Sequence, residues 1–444
     1  MIVKNPDKRV KAISGIRINP GKDESLYNLV EDLYPICRSI TGDGVRKSIQ
    51  IIKKWIPLQV REIPTGTEIF DWTVPKEWNI KDAWIKNSNG EKIIDFSRSN
   101  LHVVNYSIPV DKEVSLEELK QHLYTLPDQP DLIPYIKSYF KEQWGFCLSH
   151  NQLTSLKEDR YHVYIDSTLK EGSMTYGELL IEGKSTDEVL ISTHICHPSL
   201  CNDNLSGISV AAHLAQSLFD EELRYSYRFL FIPATIGSIA WLAQNEDTVG
   251  SIKYGLVLSC VGDSGNITYK KSRQGTAEID RIVEQVLGHS HDKYEIREFL
   301  PFGYDERQFC SPAFDLPVGC FMRTPFGEFP EYHTSADNLD FVKPEALADS
   351  LSKLTDIIYV IENNRKYLNL NPKCEPNLGK RGLYRLTSDN KKIEINQLAI
   401  LWVLNLSDGK NTLLDISERS DMNFNTIKQA ADALESVQLL ERMS

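Results

Sequence analysis

The regular alternation of apolar strand-like and helix-like segments over residues 160–345 most constrains what this chain can fold into. "EVLISTHI", "YRFLFIPA" and "YGLVLSCVGD" are continuous apolar runs, as expected for strands that are covered on both faces. Between them, "GISVAAHLAQSLF" and "SIAWLAQNE" have helical periodicity. The alternation predicts an α/β fold with a mainly parallel sheet flanked by helices. Ligands of such folds bind outside the carboxyl ends of the strands.

The other segments differ from this α/β domain, which we place at residues 151–368. Residues 1–57 begin as a polar arm and then show the apolar spacing of two helices packed on the domain. Residues 58–150 contain short β-branched and aromatic runs cut by Pro, Asn and Gly, which indicate an inserted β-rich subdomain. Residues 369–382 resemble a linker. Residues 383–444 contain three amphipathic segments with helix-turn-helix spacing, which predict a winged-helix domain.

Charge and composition exclude several classes of function. The formal net charge of -12 argues against binding of nucleic acid or anionic membranes by the chain as a whole. The predicted recognition helix carries Lys428 against Asp432 and Glu435, so we expect a protein contact or homo-oligomerisation through the accessory domains instead of DNA binding. No apolar h-region and no apolar run of about 18 residues is present, which predicts a cytoplasmic protein with reduced thiols.

The stretch "THICHPSLCNDNLSG" follows the first buried strand and contains His194, His197 and Asp203. Imidazole and carboxylate groups are the ligands that Zn²⁺ prefers in catalytic sites. Asp203 could instead cap the helix that follows, which is an ordinary structural role. The position at a strand end favours the metal site.

Two later segments offer further ligands. Asp263 follows another buried strand, where a carboxylate either starts a turn or adds to a metal site. His333 lies in "EFPEYHTSADNLDFV", and it is either an isolated structural histidine or the residue that completes a ligand set. Beside the strand-end cluster, Asp263 is a candidate further ligand and His333 would complete the ligand set.

The segment "FGYDERQFCSP" is dense in charge and also contains apolar residues. It is either an exposed loop or a loop that contacts substrate. In the second case Asp305, Glu306 or Arg307 would make the contact.

The order of these residues resembles that of the zinc aminopeptidases, which have a phosphorylase/hydrolase-like α/β fold and two co-catalytic metals. The likeness covers roughly residues 150–365. Almost the whole chain is similar to an aminopeptidase-like family whose members often accompany polysaccharide-biosynthesis proteins and carry a C-terminal winged helix. "STHICHPSLCNDNLSG", "YDERQFCSP" and "EYHTSADNLDF" are the stretches that carry this second resemblance.

The resemblance implies zinc, as one or two ions, and a metal-dependent hydrolase that cleaves an amide bond in a peptide or an amino-sugar derivative. Asp203 would bridge two metals, with His194 and a glutamate on one of them. Asp263 and His333 would hold the other. A glutamate would take the proton of the attacking water.

The chain departs from this pattern in "FIPATIGSIAWL", where the family has a Glu-Glu pair and this chain has Ala234 and Thr235. His197 could replace the missing ligand. Glu306 or Glu331 could replace the missing base, and Tyr332 is a further catalytic candidate. Alternatively, the protein is a binding module without turnover, or a ligand-sensing regulator that acts through its winged helix.

Overall fold

The computed structural model describes residues 23–383 and 396–443. They form two compact units. The first unit extends to Gly275 and continues over Glu295–Ser352. The second unit comprises Thr276–Tyr294 and the residues from Lys353 onward. Most of the predicted N-terminal arm and the first residues of the predicted winged-helix domain lie outside the described part of the chain.

The helices and strands have the following bounds. The helices are α1 (Asp23–Leu33), α2 (Asp43–Ile52), α3 (Leu116–Lys120), α4 (His150–Ser155), α5 (Gly207–Leu218), α6 (Ile236–Asn245), α7 (Glu278–Gly288), α8 (Glu306–Phe309), α9 (Pro344–Asn363), α10 (Gln397–Leu406), α11 (Leu413–Ser420) and α12 (Phe424–Ser436). The strands are β1 (Gln59–Pro64), β2 (Glu68–Ile69), β3 (Trp72–Thr73), β4 (Glu77–Lys86), β5 (Lys92–Asp95), β6 (Val110–Ser115), β7 (Leu123–Tyr124), β8 (Phe146–Cys147), β9 (Arg160–Lys170), β10 (Ser173–Ile181), β11 (Glu188–His194), β12 (Ser226–Ile232), β13 (Ile252–Leu258), β14 (Ile267–Lys270), β15 (Tyr294–Arg297), β16 (Val318–Met322), β17 (Lys366–Asn369), β18 (Asp408–Thr412) and β19 (Leu440–Arg442).

The large sheet has the strand order β1-β10-β12-β11-β13-β16-β14-β15. Its centre is parallel, because β11 pairs in parallel with both β12 and β13, and β13 pairs in parallel with β16. Strands β1, β10 and β14 pair antiparallel. The predicted α/β class is confirmed, while the parallel part is limited to the central strands that the apolar runs marked.

A second sheet in the first unit has the order β5-β4-β9-β6. Most of this sheet comes from the predicted β-rich insertion, but two strands belong to a different sheet from the one that the predicted domain bounds imply. Strand β9 pairs along its length with β4 and β6, so it belongs to the small sheet. Strand β1 pairs with β10 in the large sheet. The pairing partners of these strands depend on residues far away in the chain, which local sequence does not indicate.

Strand β11 positions the site. All of its 7 residues are buried, and helix α5 packs on β11, β12 and β13. In the parallel register, His194 is opposite Ile232 of β12, and Thr193 is opposite Leu258 of β13. The carboxyl ends of the three strands therefore meet at one edge of the sheet, as the sequence predicts for the ligand-bearing segments.

The second unit contains the three predicted C-terminal helices, α10, α11 and α12, and a three-stranded sheet with β17 at its centre. Helix α7, which the sequence assigned to the α/β domain, is also part of this unit. Arg281 on α7 forms ion pairs with Asp415 and Glu418 on α11. Because these contacts join residues more than a hundred positions apart, local periodicity could not indicate them.

Two observations bear on the predicted environment of the chain. No helix in the described ranges is both long enough and apolar enough to cross a bilayer. The cysteines at positions 37, 147, 196, 201, 260, 310, 320 and 374 are all free thiols.

Candidate metal and substrate site

Asp203 lies at the centre of the site, fully buried, in an irregular turn that precedes α5. Its Oδ1 accepts hydrogen bonds from His194 Nε2 and Tyr304 Oη, both at 2.8 Å. Its Oδ2 accepts one from His333 Nε2 at 2.9 Å. The carboxylate therefore faces the imidazoles and does not cap α5, so the capping interpretation is wrong.

His197 completes a cluster suited to a metal ion. Ligand atoms of His194, His197 and Asp203 all lie within 4.8 Å of one another. Nε2 of His197 is buried, 3.7 Å from Oδ2 of Asp203, and has no hydrogen-bond partner among the described residues. Burial lowers the pKa of His197 well below its usual value, so the imidazole is neutral and its lone pair is available. Two imidazoles and a carboxylate at this spacing fit zinc.

The turn "NDN" is fastened to the strand ends by its amides. Asn204 donates to the carbonyl of Leu258 at 3.0 Å and accepts from the Cys260 N–H at 3.1 Å. Asp337 accepts from the backbone N–H groups of Asn202 and Asp203, at 2.6 and 3.0 Å. Burial raises the pKa of Asp337 to about 8 despite these hydrogen bonds. The turn thus presents Asp203 in one orientation.

Arg38 holds the loop that carries His197. It is 1% exposed, and its guanidinium donates to the carbonyls of His197 at 2.7 Å, Pro198 at 2.9 Å and Leu33 at 2.6 Å. Burial lowers its pKa to about 10. Arg38 was not predictable as part of the site, since nothing in "PICRSI" indicates a contact with residues 159 positions later.

Two tyrosines cover the histidines. Tyr304 stacks on His194 with ring centroids 4.2 Å apart, and Tyr332 stacks on His333 at 3.9 Å. Their hydroxyl groups are 2.8 Å apart. Burial raises the pKa of both phenols, so both remain protonated at neutral pH. Tyr304 was not predicted, because the charged residues that follow it in "FGYDERQFCSP" were the stronger candidates for a substrate contact.

A cavity of about 300 Å³ opens beside this cluster. Its walls are mainly aromatic and aliphatic, with two cationic side chains and the exposed side of the cluster. The lining residues are Ile40, Trp72, Lys137, Tyr139, Phe140, His197, Ala234, Thr235, Ile236, Ile239, Phe302, Gly303, Tyr304, Arg307, Phe326, Tyr332 and His333. None of the described residues that line it is an aspartate or a glutamate.

Two family models match this chain and show the family to which it belongs. A family described as a domain of unknown function (DUF4910) matches residues 27–364, and a winged helix-turn-helix model matches residues 365–442. The chain belongs to the DUF4910 family. The winged helix predicted from the C-terminal sequence is confirmed.

Relatives of this DUF4910 chain share its architecture. A Clostridium acetobutylicum protein, named for polysaccharide biosynthesis with an aminopeptidase-like domain, is 56% identical over 94% of this chain and 96% of its own length. A crystal structure of a C. acetobutylicum protein described as a candidate peptidase has a TM-score of 0.91 at 54% identity, with 95% and 97% of the two chains covered. A zinc aminopeptidase of Bacillus subtilis has a TM-score of 0.57 at 14% identity, with coverages of 78% and 96%. The last likeness shows the fold alone, and the fold is the aminopeptidase-like one that the sequence suggested.

Asp263 does not join the cluster in this DUF4910 chain. Its Oδ1 accepts from Thr324 Oγ1 and the Gly265 N–H, both at 2.6 Å. Its Oδ2 accepts from Asn202 Nδ2 at 3.0 Å and the Thr324 N–H at 3.2 Å. Both oxygens are thus occupied by fixed donors, and the turn-forming alternative describes Asp263 better than the ligand role. The physical reason is that Asn202 and Thr324 donate to the two oxygens and hold the carboxylate.

The two glutamates predicted as substitute bases lie elsewhere. Glu306 is 0% exposed and forms an ion pair with Lys270 at 2.5 Å, so its negative charge is balanced by that ammonium group. Glu331 lines a separate cavity, together with Asp263 and Lys343. Of the predicted catalytic residues, only Tyr332 lines the cavity beside Asp203.

The two predicted substrate contacts also differ from each other. Arg307 lines the cavity. Asp305 is fully buried behind it, where it accepts a hydrogen bond from Ser238 at 2.8 Å. Burial raises the pKa of Asp305 to about 6. Asp305 is therefore placed to support the cavity wall instead of touching a ligand.

Proposed function

We propose that this protein is a zinc-dependent hydrolase that cleaves an amide bond. The observation that carries the proposal is the buried, unpartnered Nε2 of His197 beside Asp203, at the base of a cavity. A buried polar atom without a partner costs free energy, and an ion held by His194, His197 and Asp203 would satisfy it. His333 would hold or orient the ion from the exposed side of Asp203.

When bound, zinc would lower the pKa of a coordinated water and polarise a carbonyl group. The protein residues have their own tasks. Tyr332 is a protonated donor that would stabilise negative charge developing on the carbonyl oxygen, while Tyr304 donates a hydrogen bond to Asp203. The aromatic walls would exclude water and orient the substrate. We propose no role as base for Glu306 or Glu331.

The substrate class follows from the relatives by analogy. A relative that is 56% identical is named for polysaccharide biosynthesis, and so we propose an amino-sugar derivative in preference to a peptide. The wide aromatic mouth, with Trp72 and Phe140 exposed, suits a ring-shaped substrate.

A second candidate function is favoured by Ala234. This residue lines the cavity at the place where the resembled enzymes have a glutamate, and no described acidic residue lines the cavity instead. The protein would then bind the same ligand and metal without turnover. Loss of a positioned general base typically lowers the rate about 10²–10⁴-fold. A measurement of turnover is therefore needed to distinguish a slow enzyme from a binding protein.

The test is metal analysis followed by activity. Protein stripped with a chelator is dialysed against zinc and analysed by mass spectrometry, and we expect one or two ions per chain. Release of acetate from N-acetylglucosamine derivatives should then require zinc and stop with chelator. Less than one zinc per chain would overturn the metal proposal. Zinc without turnover would favour the binding protein.

For the winged helix we propose a protein contact, including self-association. Lys428 on α12 is paired with both carboxylate oxygens of Asp432, at 2.5 and 2.6 Å, and Arg442 is paired with Glu435 at 3.1 Å. Cations neutralised in this way contribute little to phosphate binding. A mobility-shift assay should show no salt-dependent DNA binding, and light scattering should show an oligomer. Salt-dependent DNA binding would contradict the proposal.

A further inference from the structure

The described residues that line the cavity beside Asp203 include two cationic side chains and no acidic one. Lys137 and Arg307 both line it, and no described aspartate or glutamate does. This pattern differs from what a free amino terminus would need, because an ammonium group is recognised by carboxylates and repelled by cations. The charge of the cavity therefore conflicts with an aminopeptidase substrate.

Neither cation forms an ion pair with a described residue. Lys137 is exposed, and its Nζ lies 5.5 Å from the centre of the Tyr139 ring. Arg307 is half-buried, and its Nε is shielded from solvent without a hydrogen-bond partner among the described residues. A shielded donor without a partner in a cavity is the usual mark of a position completed by ligand.

The walls of the cavity suit the rest of such a ligand. The ring centroids of Trp72 and Phe140 are 5.5 Å apart, and the two residues are 47% and 54% exposed. Phe302 is 66% exposed. Phe140 has a φ of 65°, a backbone conformation that bulky residues rarely adopt. Strained residues of this kind concentrate at ligand sites, because the fold retains them there for function. An exposed aromatic rim beside two cationic side chains fits a ring that carries an anionic group.

We propose that the substrate is an anionic amide whose carboxylate or phosphate is held by Lys137 and Arg307. A planar guanidinium can donate two parallel hydrogen bonds to either anion, and an ammonium adds a point charge. The proposal rests on the proposed function for the bond that is cleaved. The preference for an anion stands on the cavity alone.

The experiment measures binding by calorimetry with matched pairs of ligands. N-acetylglycine is compared with N-acetylglycinamide, and N-acetylglucosamine 1-phosphate with N-acetylglucosamine. Glycinamide represents a free amine. We expect the charged member of at least one pair to bind about 10-fold to 100-fold more tightly than its neutral counterpart. The pair with the larger ratio identifies the anion as carboxylate or phosphate.

Variants assign the effect to the two cations. Lys137→Gln and Arg307→Gln should each reduce the ratio of charged to neutral ligand affinity about tenfold. Lys141→Gln, an exposed lysine outside the cavity lining, is the control and should leave the preference unchanged. The proposal would be overturned if charged and neutral ligands bound equally, or if glycinamide bound more tightly than N-acetylglycine. An anion preference that stayed unchanged in both variants would also overturn it.

Zinc content, measured on the same samples, separates this proposal from the proposed function. An anion preference in protein that binds no zinc would support the anion site and overturn the hydrolase. Zinc binding and turnover without an anion preference would overturn the anion site and leave the hydrolase standing.

Discussion

Nε2 of His197 lies 3.7 Å from Oδ2 of Asp203, buried and without a hydrogen bond to any described residue. The same carboxylate accepts hydrogen bonds from His194 and His333. His197 is thus the imidazole in the cluster whose Nε2 has no hydrogen-bond partner among the described residues. This relationship makes it the most sensitive test of the metal site.

His197→Ala should weaken zinc binding by at least about 100-fold, since it removes a ligand from a buried site. Binding is measured by competition with a chromophoric chelator. The matched control is His162→Ala, because His162 is 42% exposed and pairs with Asp111 away from the cavity. Similar zinc affinities for the two variants would show that His197 is structural.

Ala234→Glu should restore a carboxylate to the cavity and raise the rate of amide hydrolysis. A positioned general base contributes about 10²–10⁴ in rate. Ala234→Gln, which has nearly the same size but no basic oxygen, is the control. The measurement is turnover of an N-acetylated amino sugar by zinc-loaded protein. Equal rates for the two variants at equal zinc content would exclude position 234 as the missing base.

Glu306→Gln should lower stability and leave zinc binding unchanged. The change leaves the ammonium group of Lys270, only 6% exposed, without its ion pair. Removing one partner of a buried pair typically costs about 3–5 kcal/mol. Thermal unfolding of Glu306→Gln is compared with that of Glu331→Gln, which should be close to the parent. Loss of turnover in Glu306→Gln without loss of stability would instead identify Glu306 as the base.

The pair of Arg46 and Glu77 should make stability depend on pH. The hydrogen bonds from Arg46 lower the pKa of Glu77 from 4.5 to about 2 in the folded protein. A depressed carboxyl pKa contributes stability that is present above about pH 4.5 and lost as the pH falls towards 2. The free energy of unfolding, measured by thermal unfolding across this window, should fall by about 2 kcal/mol, less than the full pKa shift implies because water screens the partly exposed Arg46.

Glu77→Gln should remove most of that dependence. Glu113→Gln is the control, because Glu113 is 65% exposed and its contact with Arg160 is 3.8 Å long. A parent-like pH profile for Glu77→Gln would show that other carboxyl groups govern acid stability.

The fold and the residues at the centre of the candidate site were predictable from the sequence. The apolar runs marked β11, β12 and β13, and helical periodicity marked α5 and α6. His194 and Asp203 were predictable because a residue's position at a strand end is a local property. In parallel strands, such positions meet at one edge of the sheet.

Only the tertiary structure decided which other groups face that edge. Asp263 is bound by Asn202 and Thr324, and Glu306 by Lys270, so neither carboxylate is free for the cluster. Tyr304 reaches Asp203 across 101 positions of the chain. A motif specifies which chemical groups are present, but their partners depend on contacts between residues distant in sequence. Long-range contacts of this kind have no local periodicity, and for that reason the sequence alone did not reveal them.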